Sequence, residues 1–354
     1  MARVIADPDH DLLHALFLPL REGCLSWPTA GGTLFLNARA GAGLQPQDWP
    51  GLQCVSAFKP AFDALQAAGF AVRADVGSQR YPLVLLLPPR SREAARAAFA
   101  QALSLLQPGG VLVACQANEE GARSGEADLQ RLAGPLQVRS KHRCRVYWSA
   151  ADAHLDADLQ QQWRALAAPR VVAALGLWSH PGVFSWDRVD AASRLLGEHL
   201  PDDLHGHAAD LGCGYGYLSR VLLERCTGVV ALDAVEADAA ALALARANLE
   251  PFAATHALEF LWHDVARGLS RRYDCIVSNP PFHAEGRGER PDIGRQFIAA
   301  AAAALCPGGP LWLVANRHLP YEAALAAHFK SVRCVVQAHG FKVIEARNAH
   351  GAGS

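Results

Sequence analysis

Tyr273-Asp274-Cys275-Ile276-Val277-Ser278-Asn279-Pro280-Pro281-Phe282 is the stretch whose reading decides the fold. Cys275-Ile276-Val277 is apolar without alternation, as in a parallel-sheet strand buried on both faces. Two prolines then fix φ and remove two backbone donors, so the chain leaves the strand in a stiff, non-helical turn. The turn presents the Asn279 amide, a Pro280 carbonyl committed to no helix, and the Phe282 ring. Such a corner suits a planar group bearing an NH2, although a proline turn beside a core phenylalanine has the same letters.

The stretch occurs twice. Tyr81-Pro82-Leu83-Val84-Leu85-Leu86-Leu87-Pro88-Pro89-Arg90 repeats its pattern 192 residues earlier. An alanine-rich helix follows each copy, from Ser91 to Leu106 and from Asp292 to Leu305. Pro108-Gly109-Gly110 and Pro307-Gly308-Gly309 stop those helices, and strands Val111–Ala114 and Leu311–Ala315 come next. Lys141-His142-Arg143-Cys144-Arg145-Val146 is finally echoed by Ala338-His339-Gly340-Phe341-Lys342-Val343. Four features in one order imply duplication of an α/β unit. The expected layout is an N-terminal copy over 1–150, a linker over 151–175 and a second copy over 176–354.

Composition narrows the function. The 354 residues are 51% hydrophobic and 19% charged, enough for two domains with cores of their own. No apolar run reaches the roughly 18 residues that span a bilayer, and Met1 to Asp7 carries no signal core, so the expectation is a cytoplasmic protein without membrane contact. Nine scattered cysteines, never spaced CxxC, argue for reduced thiols and against a zinc site. A net charge of −1 exerts no global pull on nucleic acid, which leaves local patches such as Arg139, Lys141, Arg143 and Arg145 to supply it.

The second copy carries the chemistry. Asp210-Leu211-Gly212-Cys213-Gly214-Tyr215-Gly216 reads as a strand end, a glycine turn and the start of a helix, which lets backbone N–H groups approach a ligand closely. Its spacing is GxGxG; the third glycine of a dinucleotide fingerprint would fall on Tyr217, which disfavours a nicotinamide oxidoreductase. Asp210 is placed to accept from an ammonium group. Asp233, expected at the tip of a strand starting at Val229, suits the two hydroxyls of a ribose. Asp264, after Leu258–Trp262, suits an adenine amino group. With Asn279 these acids are expected at the carboxyl ends of successive strands, where open α/β sheets bind ligands.

On DLGCGYG at 210–216, Asp233, Asp264 and NPPF at 279–282, the sequence resembles the class I S-adenosylmethionine-dependent methyltransferases. Pro181-Gly182-Val183-Phe184-Ser185, NPPFH at 279–283, Ala315-Asn316-Arg317-His318-Leu319-Pro320-Tyr321 and His339-Gly340-Phe341-Lys342-Val343 narrow the resemblance to the bacterial ribosomal RNA guanine-N2 methyltransferases, the group that includes small-subunit methyltransferase C and large-subunit methyltransferase G. Trp186-Asp187-Arg188-Val189-Asp190 departs from the pattern, and little weight is attached to Trp186. The resemblance implies two tandem Rossmann-like methyltransferase domains, the first degenerate. It further implies S-adenosylmethionine as cofactor, guanine N2 of ribosomal RNA as substrate, 16S above all, and a monomer acting on the RNA or the small subunit. Asn279, Pro280 and Phe282 would be catalytic, while Phe184, Asp210, Gly212, Gly214, Gly216, Asp233, Asp264 and Asn279 would bind the cofactor. An amino methyltransferase of the same fold acting on DNA adenine N6 or a protein glutamine amide shares the NPPF corner. In the first copy Leu87 stands for Asn279 and Arg90 for Phe282, so that copy is expected to be catalytically silent and to serve RNA binding or support.

Overall fold

The structure, a computed structural model, describes residues 8–41, 43–150, 154–281 and 291–348. The chain divides into two compact units, residues 1–168 with 180–182, and residues 169–179 with 183–354.

Unit 1 holds one seven-stranded sheet, made of β1 (Thr33–Leu36), β2 (Leu52–Val55), β3 (Ala71–Arg73), β4 (Tyr81–Leu86), β5 (Leu106–Ala117), β6 (Gln137–Lys141) and β7 (Cys144–Ala150). Its order is β3-β2-β1-β4-β5-β7-β6, parallel except for β7, which runs antiparallel to both neighbours. Around it lie α1 (Pro8–Leu16), α2 (Leu18–Arg21), α3 (Lys59–Ala67), α4 (Arg92–Ser104), α5 (Ala122–Ala133) and α6 (Ala157–Ala165). Helix α6 falls inside the stretch expected as a linker. It starts on an Asp156 side-chain cap and buries Leu159 and Trp163 in the unit 1 core, so an apolar stripe made this segment part of a domain.

Unit 2 begins with the hairpin β8 (Arg170–Val172) and β9 (Leu177–Ser179). Its seven-stranded sheet is built from β10 (His205–Leu211), β11 (Gly228–Glu236), β12 (Ala257–Trp262), β13 (Cys275–Ser278), β14 (Pro310–Asn316), β15 (Ser331–Ala338) and β16 (Phe341–Arg347). The order β12-β11-β10-β13-β14-β16-β15 is that of unit 1 strand for strand. The helices are α7 (Ala191–His199), α8 (Tyr217–Arg225), α9 (Ala239–Leu249), α10 (Pro291–Ala304) and α11 (Glu322–His328).

Register makes the duplication residue-exact. Leu36 lies between Val55 and Leu86 in unit 1, and Leu211 lies between Val235 and Ser278 in unit 2. Leu87 therefore takes the place of Asn279, Asn37 that of Gly212, and Ser56 that of Glu236. Both sheets are covered on both faces, so their central strands are mostly apolar, and the few polar side chains they bury, such as Asp210 and Asp233, are exceptions. Along β13, Cys275 and Val277 join the core cluster that includes α7 and α8, while Ile276 joins the cluster of α10. That alternation decides which functional side chains can meet.

Candidate active site

The strand period of two sends Asn279 to the same face as Cys275 and Val277, the face covered by α7. There its Nδ2 donates to Asp190 Oδ2 at 3.0 Å and to Ser193 Oγ at 2.8 Å. Asp190 is the N-cap of α7 and also accepts from the Ser193 amide at 2.8 Å. Both amide hydrogens of Asn279 are thus taken, and its Oδ1 is buried without a partner. Among the described residues no backbone group donates to the Pro280 carbonyl either. Two acceptors on one turn are what an NH2 group requires. Phe282 lies outside the described residues.

Beside this corner, β10 ends at Leu211 and turns through Gly212, Gly214 and Gly216 into α8. Gly216 (φ +89°) has no room for a side chain, since a Cβ would stand 3.3 Å from the Ala245 backbone of α9. At Gly214 (φ +55°) a Cβ would meet nothing within 4 Å, so the loop is open there for a ligand to lie against its backbone. Asp210 is fully buried at the foot of the loop. Its Oδ2 accepts from Ser219 Oγ at 2.7 Å, and its Oδ1 has no partner. Burial, with the nearby Glu236 charge adding to it, raises its pKa to about 7 against the opposing Ser219 bond. A buried carboxyl with one orphaned oxygen fits a cationic ligand group.

Asp233 is not at the strand tip that the sequence suggests. The strand β11 continues through Ala234 and Val235 to Glu236, so Asp233 sits mid-strand opposite Ala209 and Glu259. Its side chain, 1% exposed, lies on the other face of the sheet with Val235 and Tyr273. It accepts from Tyr273 Oη at 2.8 Å and Arg271 Nη1 at 3.2 Å, and pairs with His207 Nε2 at 2.9 Å. Unit 1 repeats this clamp: Tyr81 Oη donates to Gln53 Oε1 at 2.9 Å at the matching position. A clamp present in both halves is architecture.

Glu236 stands at the strand end instead. Its Oε2 accepts from the Gly214 amide at 2.8 Å, and its Oε1 accepts from the amides of Ala237 and Asp238 at 2.8 and 2.9 Å. Burial raises its pKa against those bonds. The signal was present in the sequence, because Asp238 before an alanine run marks a helix start two residues later than the strand's end.

Asp264 follows β12 and caps a short 3-10 turn through the Ala266 amide at 3.0 Å, half-buried at the strand-end side of the sheet. Phe184 is 68% exposed, between Val183, which packs with Tyr215 of the glycine loop, and Ser185, held at φ +50°. Asn248 was not foreseen. Buried on α9, it donates to the Tyr215 carbonyl at 2.8 Å and holds both backbone groups of Trp178, tying the glycine loop to β9. The site that emerges is Asp210, the glycine loop, Glu236, Asp264 and the Asn279-Pro280 corner, with Asp190 and Ser193 behind it.

Unit 1 keeps the prolines of the corner, Pro88 and Pro89, but not the side chains around them. Asn37 stands in place of Gly212 and donates its Nδ2 to the Leu87 carbonyl at 3.0 Å, Ser56 replaces Glu236, and Leu87 replaces Asn279.

Known proteins share this arrangement. A family model described as the methyltransferase small domain matches residues 174–345. The solved structure of the T. thermophilus 16S rRNA N2 methyltransferase RsmC, in complex with AdoMet and guanosine, aligns with a TM-score of 0.78 and 29% identity over 98% of this chain and 93% of that one. The ribosomal RNA small subunit methyltransferase C of Yersinia pseudotuberculosis is 31% identical over 73% of this chain and 72% of its own length. That of Sodalis glossinidius is 35% identical over 73% of this chain and 71% of its own length. By descent and by fold, the chain belongs to the ribosomal RNA small subunit methyltransferase C family.

Proposed function

We propose that this protein transfers a methyl group from S-adenosylmethionine to the exocyclic N2 of a guanine in 16S ribosomal RNA. The observation that carries the reading is the buried Oδ1 of Asn279, which has no partner among the described residues, on the same turn as the Pro280 carbonyl. When bound, the cofactor supplies an electrophilic methyl on its sulfonium. Asp210 would face its ammonium, the loop of Gly212, Gly214 and Gly216 would lie along its chain, Glu236 would take the ribose hydroxyls and Asp264 the adenine amino group. Phe184 offers an exposed ring beside that loop.

Guanine N2 is a weak nucleophile because its lone pair is delocalised into the ring. Asn279 Oδ1 and the Pro280 carbonyl each accept one N2 hydrogen, which favours a pyramidal nitrogen and aims its lone pair outward. Their contribution is positioning, with no general base needed, because the surplus proton leaves after transfer. Phe282, on its place in the NPPF motif, would serve as stacking platform for the flipped base. The protein acts in the cytoplasm as a monomer on ribosomal RNA or the small subunit, away from membranes; no helix among the described residues is long and apolar enough to cross one. Unit 1 is silent in catalysis and serves RNA binding or support.

The test is methyl transfer from labelled cofactor to 16S RNA, 23S RNA, assembled small subunits, DNA and protein, followed by nucleoside analysis. N2-methylguanosine from 16S RNA is expected. Label confined to adenine N6 or to protein would overturn the proposal.

A further inference from the structure

Asn279 is an amide, and an amide presents a donor or an acceptor depending on which way it is turned. Methylation of a guanine amine needs the acceptor turned to the substrate. Two residues far away in sequence settle the orientation. Asp190 Oδ2 and Ser193 Oγ lie 3.0 and 2.8 Å from Asn279 Nδ2, while Oδ1 is buried without a partner. A carboxylate only accepts, so it can face the NH2 of Asn279 but not its oxygen. Turning the amide over would set two oxygens against each other and break a charge-assisted bond.

Asp190 cannot swing away, because its Oδ2 also caps α7 through the Ser193 amide at 2.8 Å. The start of α7 is itself fixed by Ala192, Leu195 and Leu196 in the core against β14 and β16. A carboxylate bonded to the NH2 also polarises the amide, making Oδ1 a stronger acceptor. On the basis of the proposed guanine-N2 methylation, we infer that Asp190 and Ser193 are positioning residues that lock the Asn279 amide with Oδ1 toward the substrate amine. Their proposed action on the substrate runs through Asn279.

Asp190→Gly separates this role from a structural one. The oxygen that caps α7 is also the one that accepts from Asn279, so Asp190→Asn, which can keep the cap with its carbonyl oxygen, keeps the acceptor too and serves as the control. Glycine is tolerated at a helix N-cap almost as well as aspartate and removes the carboxylate. Expected for Asp190→Gly are a kcat lowered about tenfold or more, a KM for RNA and a Kd for S-adenosylmethionine within about threefold of wild type, and a nearly unchanged melting temperature, while Asp190→Asn stays within a few-fold of wild type in kcat. Ser193→Ala keeps the carboxylate and the backbone cap and removes one acceptor, for a loss of severalfold in kcat that Ser193→Thr restores. Wild-type kcat in a folded Asp190→Gly protein overturns the inference; should that variant not fold, wild-type kcat in Ser193→Ala does so. A wild type that methylates no guanine sinks the function instead. Hydrogen exchange at Asn279 Nδ2, slow in wild type and faster in Asp190→Gly, then still decides the lock, and equal rates refute it.

Discussion

Asp233 and Glu236 are three residues apart on one strand and have opposite fates. Three is odd, so in a strand their side chains fall on opposite faces of the sheet. Glu236 shares its face with Asp210 and Asn279, whereas Asp233 is spent on Tyr273, Arg271 and His207. Asp233→Asn should lower stability by about 1–3 kcal/mol, since a charge-accepting buried oxygen is lost, and leave cofactor affinity within a few-fold. Glu236→Gln should weaken cofactor binding about tenfold. It too loses stability, since its new NH2 cannot accept from the backbone amides that both carboxylate oxygens now hold, so affinity is the readout that separates the two. Calorimetry and thermal melts on both variants check this, and the opposite pattern would return the ribose to Asp233.

Asp210 adds a pH dependence. Its pKa is raised to about 7, so in the cofactor-free protein the folded state holds a proton that the unfolded chain releases near pH 4. The protein is unpenalised below pH 4 and loses stability as pH rises through 7, by on the order of 4 kcal/mol in all. Asp210→Asn carries no such titration and should gain on the wild type between pH 5 and 8. A constant gap in melting temperature across that range would refute it. A cationic ligand favours the ionised carboxyl, so cofactor affinity should strengthen from pH 6 to 7.5. Asp210, the glycines and Asn279 were legible because each borders a glycine or proline that marks where it sits. Asp190 and Ser193 were not, because 89 and 86 residues separate them from Asn279 and only the packing of α7 brings them there.

The hairpins that end the two units show how one element can be built from different residues. In unit 2 the turn between β15 and β16 uses His339 (φ +54°) and Gly340 (φ +85°); in unit 1 the turn between β6 and β7 uses His142 (φ +52°) and Arg143 (φ +58°). Two successive positive φ values mark the type I′ turn that matches strand twist and favours glycine second. Arg143 holds that position with a Cβ, at a strain of about 1–2 kcal/mol. Arg143→Gly should therefore stabilise the protein by about 0.5–1 kcal/mol after the extra freedom glycine gives the unfolded chain. Melting of unit 1 by thermal denaturation reads this, and a loss of stability would mean that Arg143 holds something the turn does not need. At this scale the sequence was a good guide. Apolar strands and alanine-rich helices recur in order because each depends on local chemistry, although in unit 1 the helix ends at Ser104 and Pro108-Gly109-Gly110 lies within β5 rather than ahead of it. The end of β11 was misplaced because Asp233, a poor strand former, interrupts a strand that the sheet nevertheless carries on to Glu236.

For the molecule as a whole, the two units share one frame and differ at the positions of the site. Unit 1 keeps the strand order, the proline turn and the Tyr81 clamp but has Asn37, Ser56 and Leu87 where unit 2 has Gly212, Glu236 and Asn279. What it can offer instead is charge at the edge strand β6. The four basic residues read from the sequence are not equivalent there. Arg139, Lys141 and Arg143 are exposed, whereas Arg145 is half-buried and pairs with Glu126 at 2.7 Å. Arg139 also lies over Trp148, 5.9 Å from the ring centre, with its Nε 3.9 Å from Glu22 in a more exposed and longer pair. An exposed basic edge serves equally to block strand pairing between copies, and salt separates the two roles. If the three exposed residues meet phosphates, replacing them with alanine should flatten the plot of log K against log salt by about 0.7–0.9 per contact, near 2 for all three. Arg145→Ala, which removes a charge already paired within the protein, should leave the slope unchanged. An unaltered slope in the triple variant, with self-association in its place, would assign β6 to guarding the edge and leave unit 1 without an RNA contact on this face.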